Sequence, residues 1–157
     1  MLRYFNKIFN KRLLVLFLAF VFTFSLVGCD IDNNTVNDEN YIDPEGEYFT
    51  VEDVALYIHL YGNLPHNYIT KNDARKLGWE PSKGNLWDVT DKKIIGGDVF
   101  GNREGLLPHK EGRKYFECDV NYKGGKRGAE RIVYSNDGLI YYTKDHYKSF
   151  ELLYGEE

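Results

Sequence analysis

The chain has little of what usually staples, spans or repeats. Its two cysteines exclude a disulfide framework, and no Cys/His cluster has the spacing of a zinc site, which excludes a structural-metal domain. No internal repeat or low-complexity tract is present, which excludes a solenoid. No apolar stretch is long enough to span a bilayer comfortably, since the longest runs only from Leu13 to Phe24. An excess of basic residues is also absent. The formal net charge is −4 over 157 residues, so a strongly basic nucleic-acid coat is excluded and only a local basic patch remains possible. What is abundant is apolar and aromatic matter: 43% hydrophobic residues and 13 tyrosines, enough for one packed core, which rules out wholesale disorder.

The charge is unevenly placed. Residues 1–29 carry four bases (Arg3, Lys7, Lys11, Arg12) and no acid, and residues 30–53 carry nine acids and no base. Residues 54–157 hold 16 bases and 15 acids, so the body is close to neutral at +1. A basic start, a short apolar run and then Leu26-Val27-Gly28-Cys29 resemble a bacterial lipoprotein signal, in which the cysteine is lipidated and becomes the mature N-terminus. On this reading residues 1–28 are removed and Cys29 anchors the protein to the outer face of the cell membrane. An ordinary signal peptide, an uncleaved anchor and a Cys29–Cys118 disulfide are the competing readings. Residues 29–47 are polar, acidic and aperiodic, and read as a flexible tether. The folded domain is expected over residues 48–157.

Within that domain, Val51, Val54, Ala55 and Ile58 have helical spacing, with Thr50 and Asp53 as a capping pair and Gly62 and Pro65 as the stop. Thr70, Asp73 and Gly78 repeat this grammar for a shorter helix. Lys71 in its first turn is either part of an anion site or a solvated surface lysine. A third short helix is possible between Trp79 and Trp87. Strands are expected at 94–95, 98–100, 114–120, 131–135, 139–143 and 149–153, parted by turn signals at Gly96-Gly97, Lys123-Gly124-Gly125 and Asn136-Asp137-Gly138. Helices followed by strands predict an α+β fold with an antiparallel sheet.

Alternation along 114–120 places Tyr115, Glu117 and Asp119 on one face and Phe116, Cys118 and Val120 on the core face. Glu117 is thus expected on the accessible face, with Arg131 of the next strand near it if register allows. Asp145-His146-Tyr147 follow in a loop. A carboxylate, an arginine and a histidine could converge there; equally, Glu117 could be a solvated strand residue merely paired to Arg131. His59, His66 and His109 read as ordinary surface histidines.

Ordered matches extend this pattern: Leu64-Pro65-His66-Asn67-Tyr68-Ile69-Thr70-Lys71, Leu77-Gly78-Trp79, Ser82-Lys83-Gly84-Asn85-Leu86, Ile95-Gly96-Gly97-Asp98, Asn102-Arg103-Glu104-Gly105, Asp119-Val120-Asn121-Tyr122, Arg131-Ile132-Val133-Tyr134-Ser135 and Asp145-His146-Tyr147. From about Tyr48 to Leu153 the chain resembles the barnase-like family of secreted, guanyl-preferring bacterial ribonucleases. The resemblance implies an endoribonuclease that cuts single-stranded RNA after guanine, through a 2′,3′-cyclic phosphate that is then hydrolysed. It puts the general base on Glu117, the general acid on His146, the phosphate-clamping arginines on Arg127 and Arg131, and the phosphate-site lysine on Lys71. The guanine-reading loop falls on Phe100 to Glu104, with Glu104 accepting from the base and Asn102 and Arg103 shaping the loop. Tyr147 contacts the base or supports the acid. No metal or cofactor is implied, and a monomer is expected. A small barstar-like cytoplasmic inhibitor is the implied partner.

The chain departs from the family pattern at Gly101, where a serine is usual, and at Leu106, where a lysine is usual. It departs again at Gly138 for a tryptophan and at Cys118 for a smaller residue. None of these removes a proposed catalytic group. A catalytically inactive RNA- or inhibitor-binding lipoprotein of the same fold is the alternative, and it predicts the loss of at least one of Glu117, Arg127, Arg131 or His146. A structural lipoprotein is a third reading, and it predicts a featureless site face.

Overall fold

The computed structural model describes residues 41–156. The signal segment, Cys29 and most of the expected tether lie outside the described residues.

Helix α1 (Val51–Tyr61) buries Val51, Val54, Ala55, Tyr57 and Ile58 along one side. The Thr50 hydroxyl accepts from the Asp53 amide at 3.2 Å and donates to the Asp53 carboxylate at 2.8 Å, so one residue pair satisfies the helix start. Gly62, at φ 71°, ends it, and its amide donates to the Ile58 carbonyl at 2.8 Å. Helix α2 (Lys71–Lys76) uses Thr70 and Asp73 in the same way. Helix α3 (Leu86–Val89) is a single turn that buries Leu86.

Six strands follow one another in chain order across one sheet: β1 (Tyr68–Ile69), β2 (Ile94–Phe100), β3 (Tyr115–Asp119), β4 (Arg131–Ser135), β5 (Ile140–Thr143) and β6 (Glu151–Tyr154). Every pairing is antiparallel except that of β1 with β2. The expected α+β class with an antiparallel sheet is therefore what forms. One sheet face packs Cys118, Ile132, Tyr134 and Ile140 against Val51, Val54, Ala55 and Ile58 of α1. The opposite face carries a second cluster, in which Val133, Tyr115 and Tyr141 lie with Leu107, Leu139, Phe100, Tyr147 and Phe150. A third cluster joins α2 and α3 to the start of β2 through Ala74, Trp79, Leu86, Ile94 and Ile95.

Several expectations need correction. Gly96-Gly97 is a bulge inside β2, not a turn: the register with β3 shifts between Gly96 and Asp98, and Gly97 has φ 89°. A side chain at Gly96 would meet Cys118 Cβ and the Tyr68 ring at 2.6 Å, so glycine there lets three strands close up. The two-residue strand β1 was not expected, because it is too short to carry a period and forms only through its partner β2. Residues 42–44 pack on the domain, before the expected start at residue 48. Ile42 is buried, and Tyr61 and Tyr57 donate hydroxyl bonds to the Ile42 and Pro44 carbonyls at 2.7 and 2.9 Å. Glu117 is not solvated either: Tyr115, Glu117 and Asp119 are all buried, Tyr115 in the cluster with Leu107 and Phe150, Glu117 against Lys71, and Asp119 against Arg127 and Arg131.

Candidate active site

The register of the sheet decides which side chains meet. Asp98 lies opposite Glu117, Glu117 opposite Val133, and Asp119 opposite Arg131, so these residues share one face. Arg131 is therefore ion-paired with Asp119, and stays near enough to Glu117 to feel its charge.

Glu117 is 5% exposed, and its Oε1 is ion-paired with Lys71 Nζ. Its Oε2 is buried and makes no hydrogen bond. Native proteins rarely leave a buried polar atom unpartnered, and catalytic carboxylates are among the exceptions. Lys71 stands at the first position of α2, where its backbone amide donates to Asp98 Oδ2 at 3.0 Å. That bond fixes the helix end beside the strand and brings the lysine side chain to Glu117.

Asp119, 2% exposed, is the anchor of the cationic group. Arg127 donates to it through Nε and Nη2, both at 2.6 Å, in a bidentate fork. Arg131 brings its Nε to 2.7 Å from Asp119 Oδ1, close enough for an ion pair, but its Nε–H makes no hydrogen bond, while Nη1 donates to the Glu130 carbonyl at 2.7 Å. Burial disfavours charge on both guanidiniums. At Arg127 the hydrogen bonds and charge of Asp119 outweigh it, and the pKa is raised. At Arg131 burial prevails and the pKa is lowered. Both remain cations at any ordinary pH.

The loop after β5 carries His146 and Tyr147 at φ 58° and 72°, a left-handed pair that non-glycine residues seldom adopt. Asp145 holds this shape. Its carboxylate accepts from the Ser149 hydroxyl at 2.6 Å and from Thr143 Oγ1 and the Lys148 and Ser149 amides at 3.0 Å. The Ser149 side chain and amide, then Thr143 and Lys148, pull the Asp145 pKa down to about 2. The loop crosses the Glu117 face: Tyr147 lies 5.1 Å from the Phe100 ring and joins the cluster around Val133, the cross-strand neighbour of Glu117. His146 is exposed and stacks obliquely on Tyr147 at 4.8 Å.

The loop after β2 faces it. Asn102, at φ 42°, closes a ring with Leu107, donating to its carbonyl at 2.8 Å and accepting from its amide at 3.1 Å. Gly105, at φ 65°, donates to the Asn102 carbonyl at 3.0 Å. Asn102 thus rigidifies the loop that Gly101 would otherwise loosen. An open cavity of about 810 Å3 lies between the loops, lined by Phe100, Asn102, Arg103, Glu104, His146 and Tyr147 among others.

The residues that the sequence singled out for the site, apart from Cys29, come from the sheet, the start of α2, the loop after β3 and the loops after β2 and β5. Lys71, Glu117, Arg127 and Arg131 meet at the sheet; Phe100, Asn102, Arg103, Glu104, His146 and Tyr147 meet at the cavity. Asp119, Asp98 and Asp145 were not singled out. The signal for Asp119 was available: it shares a face with Glu117, and two arginines close in sequence need a buried counter-charge.

The family model for ribonuclease matches residues 52–154. A ribonuclease of Heyndrickxia coagulans is 56% identical over 101 residues, which cover 64% of this chain and 93% of that protein. A ribonuclease of Bacillus intermedius is also 56% identical over 101 residues, here 62% of its length. The guanyl-specific ribonuclease St of Saccharopolyspora erythraea is 47% identical over 57 residues, 36% of this chain and 56% of that protein. Since the match takes in all six strands and both loops around the cavity, the chain belongs to the ribonuclease family.

Proposed function

We propose that this protein is an endoribonuclease that cleaves single-stranded RNA on the 3′ side of guanine. The observation that carries this reading is the buried Glu117 carboxylate, held by Lys71 through one oxygen and free at the other, with Arg127 and Arg131 gathered beside it on Asp119. Such a group can take the proton of a ribose 2′-OH as that oxygen attacks the adjacent phosphorus. His146 protonates the departing 5′-oxygen. A 2′,3′-cyclic phosphate results, and water opens it with the two roles exchanged. Negative charge gathers on the equatorial phosphate oxygens in the transition state, where Lys71, Arg127 and Arg131 meet it with fixed donors.

The cavity between the loops is the proposed guanine site. Phe100 and Tyr147 offer aromatic surface to a base, which gives affinity with little choice. Glu104 gives the choice, accepting from the guanine N1–H and amino group, while the loop held by Asn102 and Arg103 presents amides to O6. The relative named guanyl-specific supports that selectivity. Lipidation of Cys29 after removal of residues 1–28, export, a membrane anchor through the acidic tether, a monomeric state and a barstar-like inhibitor belong to the same proposal. They are supported by the signal-like start and the family resemblance.

The test uses the full chain in mild detergent with a chelator present, beside Glu117→Ala. Both are given GpA, ApA, CpA and UpA. Guanosine 2′,3′-cyclic phosphate should form from GpA, and kcat/KM should fall about 10²–10⁴-fold in the variant. Folded wild-type protein that cleaves none of the four would overturn the enzymatic reading in favour of an inactive binding module.

A further inference from the structure

The segment 99–102 has a cavity on each side. The second, about 330 Å3, shares Val99, Phe100, Gly101 and Asn102 with the guanine cavity and is closed by His109, Lys110, Arg113 and Lys114. No carboxylate lines it. Asp137 lies behind it, taking Arg113 through Nε and Nη2 at 2.9 Å and standing 3.5 Å from Lys110 Nζ. That single carboxylate offsets one of three permanent positive charges. The wall is left at +2, against +1 for residues 54–157 as a whole. The Lys114 ammonium is exposed and has no ion pair among the described residues.

The position of this charge is as informative as its amount. Along β3 the order is Asp119 with its two arginines, then Glu117, then Tyr115 opposite Phe100 of the guanine loop, and Lys114 immediately precedes the strand. Three residues of strand from Glu117 to Lys114 cover about 10 Å. A strand of RNA carries a phosphate at every nucleotide. With guanine in the first cavity and the scissile phosphate at the arginines, the chain on the 5′ side leaves past segment 99–102.

We propose that the second cavity is a subsite for the phosphate on the 5′ side of the guanosine, held chiefly by Lys110 and Lys114. The proposal rests on the reading of the chain as a ribonuclease acting at guanine, and it names substrate contacts beyond the dinucleotide. Neither lysine belongs to the cleavage machinery, so a variant lacking both should treat GpA as wild type does.

The test compares wild type with Lys110→Gln/Lys114→Gln on GpA, pGpA and ApGpA. Wild type should show a kcat/KM about two- to fivefold higher on pGpA and ApGpA than on GpA, as an exposed charge contact allows. The double variant should lose that gain and keep its GpA rate. Affinity for the uncleavable ApdGpA should fall with salt about 0.7 less steeply, on logarithmic axes, in the variant than in wild type. Equal rates on all three substrates in wild type, or a variant that keeps the gain, would overturn the subsite. If no substrate is cleaved, the ribonuclease reading fails by itself, and the binding of ApdGpA against dGpA still decides the subsite: a wild-type preference for ApdGpA that the variant lacks supports it, and no preference rejects it.

Discussion

On the α1 side of the sheet, Cys118, Ile132 and Ile140 pack against Val54 and Ile58. On the other side the same strands present Glu117, Asp119 and Arg131, which are as deeply buried. Hydrocarbon needs only another hydrocarbon surface to be stable out of water. A buried charge needs a counter-charge and aimed hydrogen bonds. The α1 side is therefore satisfied by one amphipathic helix, whereas the Glu117 side requires Lys71 from α2, Arg127 from a loop and Asp119 from the strand itself. Its polar groups are not all satisfied: Glu117 Oε2 and Arg131 Nε make no hydrogen bond. The α1 face is packed hydrocarbon, and the other combines an apolar cluster with a charged group in which two polar atoms make no hydrogen bond.

Substitutions can break this contrast, beginning with the largest effect. Asp119→Asn leaves two guanidiniums without their carboxylate, and removing one partner of a buried ionic group costs about 3–5 kcal/mol. Urea unfolding should show that loss, and GpA cleavage should fall as Arg127 and Arg131 lose their anchor. On the opposite face, Ile132→Ala empties a fully buried site and should cost about 2–5 kcal/mol, yet molecules still folded at low temperature should cleave at the wild-type rate. An equal loss of specific activity from Ile132→Ala would mean that the faces are not separate. The smallest effect belongs to the loop edge. The folded-state pKa of Asp145 is depressed to about 2, so its hydrogen bonds stabilise above the ordinary carboxylate range and are lost as pH falls through about 2. Asp145→Asn should flatten the decline of the denaturation midpoint between about pH 4 and pH 2. A decline as steep as in wild type would show that Asp145 does not carry it.

Much of this was legible locally. Thr50 with Asp53 and Thr70 with Asp73 mark both helix starts, because a cap is made within four residues. The strands β3 and β4 stand in the alternation of their residues, whereas the candidate site loop at Asn102-Arg103-Glu104 was reached only through the family resemblance. Gly96-Gly97 misleads, since two glycines in a row serve a turn and a bulge equally, and only the approach of Tyr68 and Cys118 distinguishes them. Exposure was misjudged at Glu117 because alternation says which residues share a face and not what covers it.

What the sequence determined by itself is therefore the short-range part: caps, periods, turns, and the chemical types in the site. The tertiary structure alone decided the rest. Register set Arg131 opposite Asp119 and left Glu117 to Lys71, a residue 46 positions away. Lys71 from α2 covers that charge in the buried site. Pairings of this range depend on strand register and loop path, which no local pattern encodes, and on a counter-charge whose identity emerges only when the chain has closed.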